Sequence, residues 1–98
     1  MTARTATVVL SGEFDLTSEA FLAGRLARVR QQGPRRLIFE AARVTYLDCA
    51  SARLIVGADR WLPAGVAPVI AGPSPLVRRV LRASGLSVRC ELEPGGDQ

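Results

Sequence analysis

The fold that this sequence predicts is an α/β domain, a mainly parallel four-stranded sheet with helices packed mostly on one face. Three observations predict it. Short apolar, β-branched runs alternate with segments whose apolar residues recur every three or four positions. Glycine, proline or a small capping residue stands at the junctions between them. The order is strand then helix, three times over, before a last strand, and that order suits crossover connections between parallel strands.

Each element has its own justification. Residues 7–11, with Val8, Val9 and Leu10, read as a buried strand that Gly12 ends. A helix comes next, with Thr17 or Ser18 accepting a free first-turn amide and Glu19 at its positive end. Phe21, Leu22, Leu26 and Val29 form its apolar face, Arg25, Arg28 and Gln32 a solvated one. Gly33-Pro34 stops it. Residues 36–40 are nearly continuous in apolar side chains, as a covered parallel strand requires.

Residues 41–47 read as a loop into a second helix, capped by Asp48, in which Ser51, Leu54, Ile55, Ala58, Trp61 and Leu62 share helical spacing. Pro63 and Gly65 end it, and residues 66–71 give a third strand. Ser74 caps a third helix that Pro75 opens. Its buried stripe is Leu76, Val77, Val80 and Leu81; Arg78, Arg79 and Arg82 face outward, and Gly85 closes it. Val88, Cys90 and Leu92 alternate with Arg89, Glu91 and Glu93 in a half-exposed last strand. The domain is thus expected over residues 7–93, with residues 1–6 flexible and residues 94–98 a disordered tail.

Composition excludes more than it assigns. The chain has 98 residues and not one histidine, which removes serine and cysteine nucleophile systems built on a histidine base and the commonest metal ligand. The two cysteines, Cys49 and Cys90, have no metal-ligand spacing and are expected to be free thiols. Neither is followed by arginine at the phosphatase spacing, since Ile55 and Gly96 stand there. No catalytic residue, metal or cofactor is therefore expected. The net charge is +4, but the arginines are spread along the chain with few aromatics among them, which argues against nucleic acid as a partner. No apolar run approaches the ~20 residues of a spanning helix, and the N-terminus lacks a signal-peptide stretch. A cytoplasmic domain with no membrane insertion is expected.

Three segments carry more than fold information: Ser11 to Thr17, Val44 to Ser51, and Ala71 to Leu81. Singly, each reads as a capped turn or helix start. Together, in this order, they resemble the STAS family, whose members include bacterial anti-sigma-factor antagonists. Gly12-Glu13-Phe14-Asp15 resembles the family's early G-E-x-D turn. Residues 36–40 with Val44-Thr45-Tyr46-Leu47-Asp48 resemble its central strand and loop. Gly72-Pro73-Ser74-Pro75, with Val77-Arg78-Arg79-Val80-Leu81, resembles its third helix, and Ser84-Gly85-Leu86 its ending.

The resemblance implies a protein-binding module that binds an anti-sigma factor, often a serine kinase, and so frees a sigma factor. It implies a partner-binding surface of Asp15, the whole loop from Thr45 through Tyr46, Leu47, Asp48, Cys49 and Ala50 to Ser51, and exposed residues of the second helix such as Arg53 and Val56. In the family the kinase phosphorylates a serine directly after the loop aspartate, and the added charge breaks the complex. Here that position is Cys49, so the usual serine switch is absent. Ser51 is no substitute, because two positions along a helix turn a side chain by about 200°. Family members also carry a strand before the one at Val8; without it the sheet edge is uncovered, which favours a homodimer. The same family resemblance admits a cytoplasmic subunit of a lipid or solute transporter, contacting an ATPase subunit. A small-ligand sensor at the Asp15 and Asp48 loops is a third reading.

Overall fold

A computed structural model describes residues 4–85 and 90–93. The strands are β1 (Thr5–Phe14), β2 (Arg36–Leu47), β3 (Val69–Ala71) and β4 (Glu91–Leu92). The helices are α1 (Glu19–Gln31), α2 (Cys49–Val56) and α3 (Pro75–Ala83), with short 3-10 turns at Leu16–Ser18 and Gly57–Arg60. The strands pair in sequence order, β1-β2-β3-β4, and every pairing is parallel. Successive crossovers that each move one strand in the same direction place their helices on the same face of the sheet.

Burial along the strands shows that arrangement. Val8, Leu10 and Phe14 of β1 and Leu37, Phe39, Ala41, Val44 and Leu47 of β2 are buried, and they join Leu22, Leu26, Ile55, Val56, Val77 and Leu81 of the helices in one core. The opposite face is open: Thr5, Thr7, Val9, Ser11 and Glu13 are exposed, as are Arg36 and Glu40. Phe39 lies fully buried at the centre, opposite Val8 on one side and Ile70 on the other.

The expected elements are all present, with different bounds. β1 runs from Thr5 to Phe14, so it includes the last two residues of the segment expected to be flexible and passes through Gly12. Gly12 has φ +86°, a conformation that glycine adopts without a Cβ penalty. The largest correction concerns residues 41–47, expected as a loop but forming the second half of β2. Two register shifts against β1 explain the misreading. Val9 pairs with Glu40 and Ser11 with Arg43, then Gly12 with Val44 and Glu13 with Tyr46, so β2 carries an extra residue at each step. The insertions break the inward-outward alternation by which a strand is recognised.

Other differences are smaller. Phe21, expected on the apolar face of α1, is 62% exposed, and Arg25 lies over its ring, 5.9 Å from the centroid. Arg25, expected in solvent, is half-buried and donates to the Val9 carbonyl (3.2 Å). It covers part of the outer edge of β1, which has no strand partner among the described residues. α2 tightens into its 3-10 turn after Val56, and β3 starts at Val69, later than expected. In α3 the Ser74 hydroxyl accepts the Val77 amide (3.2 Å) with Pro75 at the first turn, as expected. Leu86, Val88 and Arg89 of the last expected strand and family ending, and the tail 94–98, lie outside the described residues.

Candidate functional site

The site is built where β1 and β2 end side by side. Phe14 pairs with Leu47, and the Asp48 amide donates to the Phe14 carbonyl (3.0 Å). That bond fixes the two following acids, Asp15 and Asp48, at neighbouring strand ends. Each caps a helical turn. The Asp48 carboxylate accepts the Ser51 amide (2.8 Å) and starts α2. Asp15 accepts the Thr17 amide (3.0 Å) and the Thr17 hydroxyl (2.6 Å). The caps expected at Thr17 or Ser18 are corrected here, because Asp15 is the acceptor and Ser18 makes no side-chain cap of its own. The Ser18 hydroxyl turns back to the Glu13 carbonyl (3.2 Å).

The Thr17 bonds hold the Asp15 carboxyl below its ordinary value of 3.8; desolvation opposes this, and Ser18 adds a smaller lowering. The sign is direct. A lowered folded-state pKa contributes stability that is complete above the ordinary carboxylate range and is lost as pH falls through the folded value. A carbon NMR titration is expected to show Asp15 titrating below 3.8, with Thr17→Ala moving the midpoint upward.

Thr45 is the extra residue at the second register shift of β2 and is exposed. Cys49, the first residue of α2, is exposed and free, with Sγ 3.1 Å from the Ser84 hydroxyl just beyond α3. That contact ties the start of α2 to the end of α3. Ala50 is half-buried and Arg53, one turn on, is exposed. The structure thus brings Asp15, Thr45, Asp48, Cys49, Ala50 and Arg53 to one end of the molecule. Three residues depart from the expected surface, the first being Leu47, which is buried in the core. Val56 is fully buried in the core and cannot be a contact residue. Ser51 is 0% exposed, beneath the surface formed by its neighbours.

Ser51 also lacks any partner for its hydroxyl, the only such buried side-chain atom among the described residues. An unpaired buried hydroxyl is costly, and alanine is the better helix former. Ser51→Ala is therefore expected to stabilise the domain by about 1 kcal/mol, raising Tm by roughly 4–8 °C in thermal unfolding. A fall in Tm would mean that the hydroxyl is bonded in the folded chain.

Two residues of the site, Leu16 and Ser84, were not expected from the sequence, while Tyr46 lies in the expected Thr45–Ser51 loop. Leu16, beside Asp15, is 76% exposed, and Tyr46, opposite Glu13, is 47% exposed. An exposed tyrosine is a side chain that protein interfaces use as an anchor, and the exposed leucine adds apolar area at the same end. The available signal was Leu16 standing inside a turn, outside any helical stripe. Ser84 carried none, since its contact with Cys49 spans 35 positions.

Among the described residues there is no cluster of metal-binding side chains, and no helix is long and apolar enough to cross a membrane. The STAS domain family matches residues 2–94. The unphosphorylated form of the anti-sigma factor antagonist SpoIIAA is similar in structure, with a TM-score of 0.74 and 28% identity over 93% of this chain and 81% of that one. The phosphorylated form of the Bacillus cell fate determinant SpoIIAA gives a TM-score of 0.66 and 26% identity, over 93% and 84%. No curated protein sequence matches the chain.

Proposed function

This chain belongs to the STAS domain family, and from that premise we propose that it is a non-catalytic, protein-binding regulatory module of the cytoplasm, an anti-sigma-factor antagonist. Its partner is an anti-sigma factor of the serine-kinase type, whose capture releases a sigma factor. The observation that carries this reading is the loop end itself. Asp15 and Asp48 are locked side by side through the Asp48–Phe14 bond, with Leu16, Thr45 and Cys49 exposed around them. Support also comes from the 28% identity with an anti-sigma factor antagonist along nearly the whole chain.

The regulation differs from that of the family. An ATP-dependent serine kinase needs a hydroxyl, and the exposed position after Asp48 offers a thiol. The nearest hydroxyl on α2, Ser51, is buried. The module binds without the phosphoserine switch.

Affinity capture from native lysate, comparing wild type with Asp48→Lys, tests the function. Lysine removes the cap, at a cost of about 1 kcal/mol, and reverses the charge at the centre of the loop end. Recovery of a kinase-type anti-sigma factor by wild type and its loss in the variant is the expected result. Recovery of a transporter ATPase in its place would overturn the antagonist reading in favour of a transporter subunit.

A further inference from the structure

A groove between α1 and α2 shares Arg53 with the loop end and is otherwise lined by residues that the loop end does not use. Its floor is apolar, made by Leu26, Leu54 and Trp61, and it encloses about 700 Å³. Ala23, Ala27 and Gly57 form its sides, and their small side chains keep it open. A Cβ placed on Gly57 meets nothing within 4 Å. Arg30, Arg53 and Arg60 stand on its rim, all exposed, and none is ion-paired among the described residues.

An apolar floor beneath unpaired cations selects an occupant with an apolar stripe flanked by acids. The shape selects further. From Ala23 to Gln31 the α1 wall runs about 12 Å, room for roughly two turns of a helix laid between α1 and α2. A lipid surface is flat and would not reach Leu26, which is buried at the base. Nucleic acid would satisfy the arginines but leave the floor without an apolar partner.

We propose that the α1–α2 groove is a docking site for an acidic amphipathic helix of a partner protein. Leu26, Leu54 and Trp61 take its apolar stripe, and Arg30, Arg53 and Arg60 take its carboxylates. The assignment stands independently of the antagonist reading, because it depends only on these two helices and holds whichever protein carries the segment.

Trp61 is the sole tryptophan, so its emission reports occupancy of the groove. The probe is a synthetic helical peptide without aromatic residues, with leucine at i, i+3, i+4 and i+7 and glutamate on both flanks; a second peptide has lysine in place of glutamate. The glutamate peptide is expected to shift Trp61 emission saturably at micromolar concentration, and the lysine peptide is not. Gly57→Leu, which fills the groove from a helical position with room for a side chain, is expected to weaken binding at least about tenfold. Arg30→Glu, a fully surface change that keeps circular dichroism unaltered, is expected to weaken it by a similar factor. A response equal for both peptides, one indifferent to both substitutions, or none at all would overturn the proposal. So would emission that shifts with phosphatidylglycerol vesicles or duplex DNA but not with the glutamate peptide.

Discussion

Phe39→Ala is expected to cost the domain about 3–5 kcal/mol, a large share of the roughly 5–15 kcal/mol that holds a domain folded. Phe39 is 0% exposed and sits on β2, which pairs with a strand on each side. Truncating it removes a buried ring and leaves a cavity that the flanking Val8 and Ile70 cannot close without breaking register. Thermal unfolding is expected to show Tm lowered by roughly 15–30 °C. Phe21→Ala provides the contrast, since that ring is mostly in solvent and its loss is expected to change stability by no more than about 0.5 kcal/mol. Equal losses from the two variants would contradict an α1 that turns Phe21 away from the core.

The second large effect concerns the switch. Cys49→Ser changes one atom at an exposed helix start beside Asp48 and supplies the hydroxyl that the family's kinases use. With the captured kinase-type partner and ATP, wild type is expected to gain no phosphoryl group, and Cys49→Ser is expected to gain one by mass spectrometry. The phosphate would stand next to the Asp48 carboxylate in a close interface, where like charges cost several kcal/mol. Binding of the phosphorylated variant is therefore expected to fall on the order of a hundredfold, or about 2.8 kcal/mol. Phosphotransfer onto wild type, lost in Cys49→Ala, would defeat the no-switch reading.

How much of this was legible in the sequence varies with the kind of signal. Asp48, Ser74 and Pro75 announced their helix starts because capping is local chemistry, decided within three residues. β1 was legible as a strand from its β-branched run, but that run was read as buried throughout, whereas Val8 and Leu10 face the core and Val9 between them is 49% exposed. The second half of β2 was not. Its extra residues, Thr45 among them, spoil the period of two while leaving the pairing to β1 intact. Periodicity also misplaced Phe21 and Leu76, expected buried but exposed, because it orders residues around a helix but does not fix which way the apolar stripe is turned. Val56, expected on the contact surface, is buried. In α1 the core takes Leu22 and Leu26 and leaves Phe21 outside; in α2 it takes Ile55 and Val56 together. The candidate site was legible where acids and a thiol come directly after strand ends. Its long-range parts, the Asp48–Phe14 bond, the Cys49–Ser84 contact and the exposed Leu16, exist only once the sheet is assembled.

Partner binding is expected at the ends of β1 and β2. An amide NMR shift map of the isotopically labelled chain, recorded as the captured partner is added, locates the contact residue by residue. The largest changes are expected at Asp15 to Ser18 and from Thr45 to Arg53, with Thr5, Thr7 and Arg79 unchanged. Changes centred on the open face of the sheet or on the outer arginines of α3, with Asp15 and Asp48 silent, would contradict binding at these strand ends.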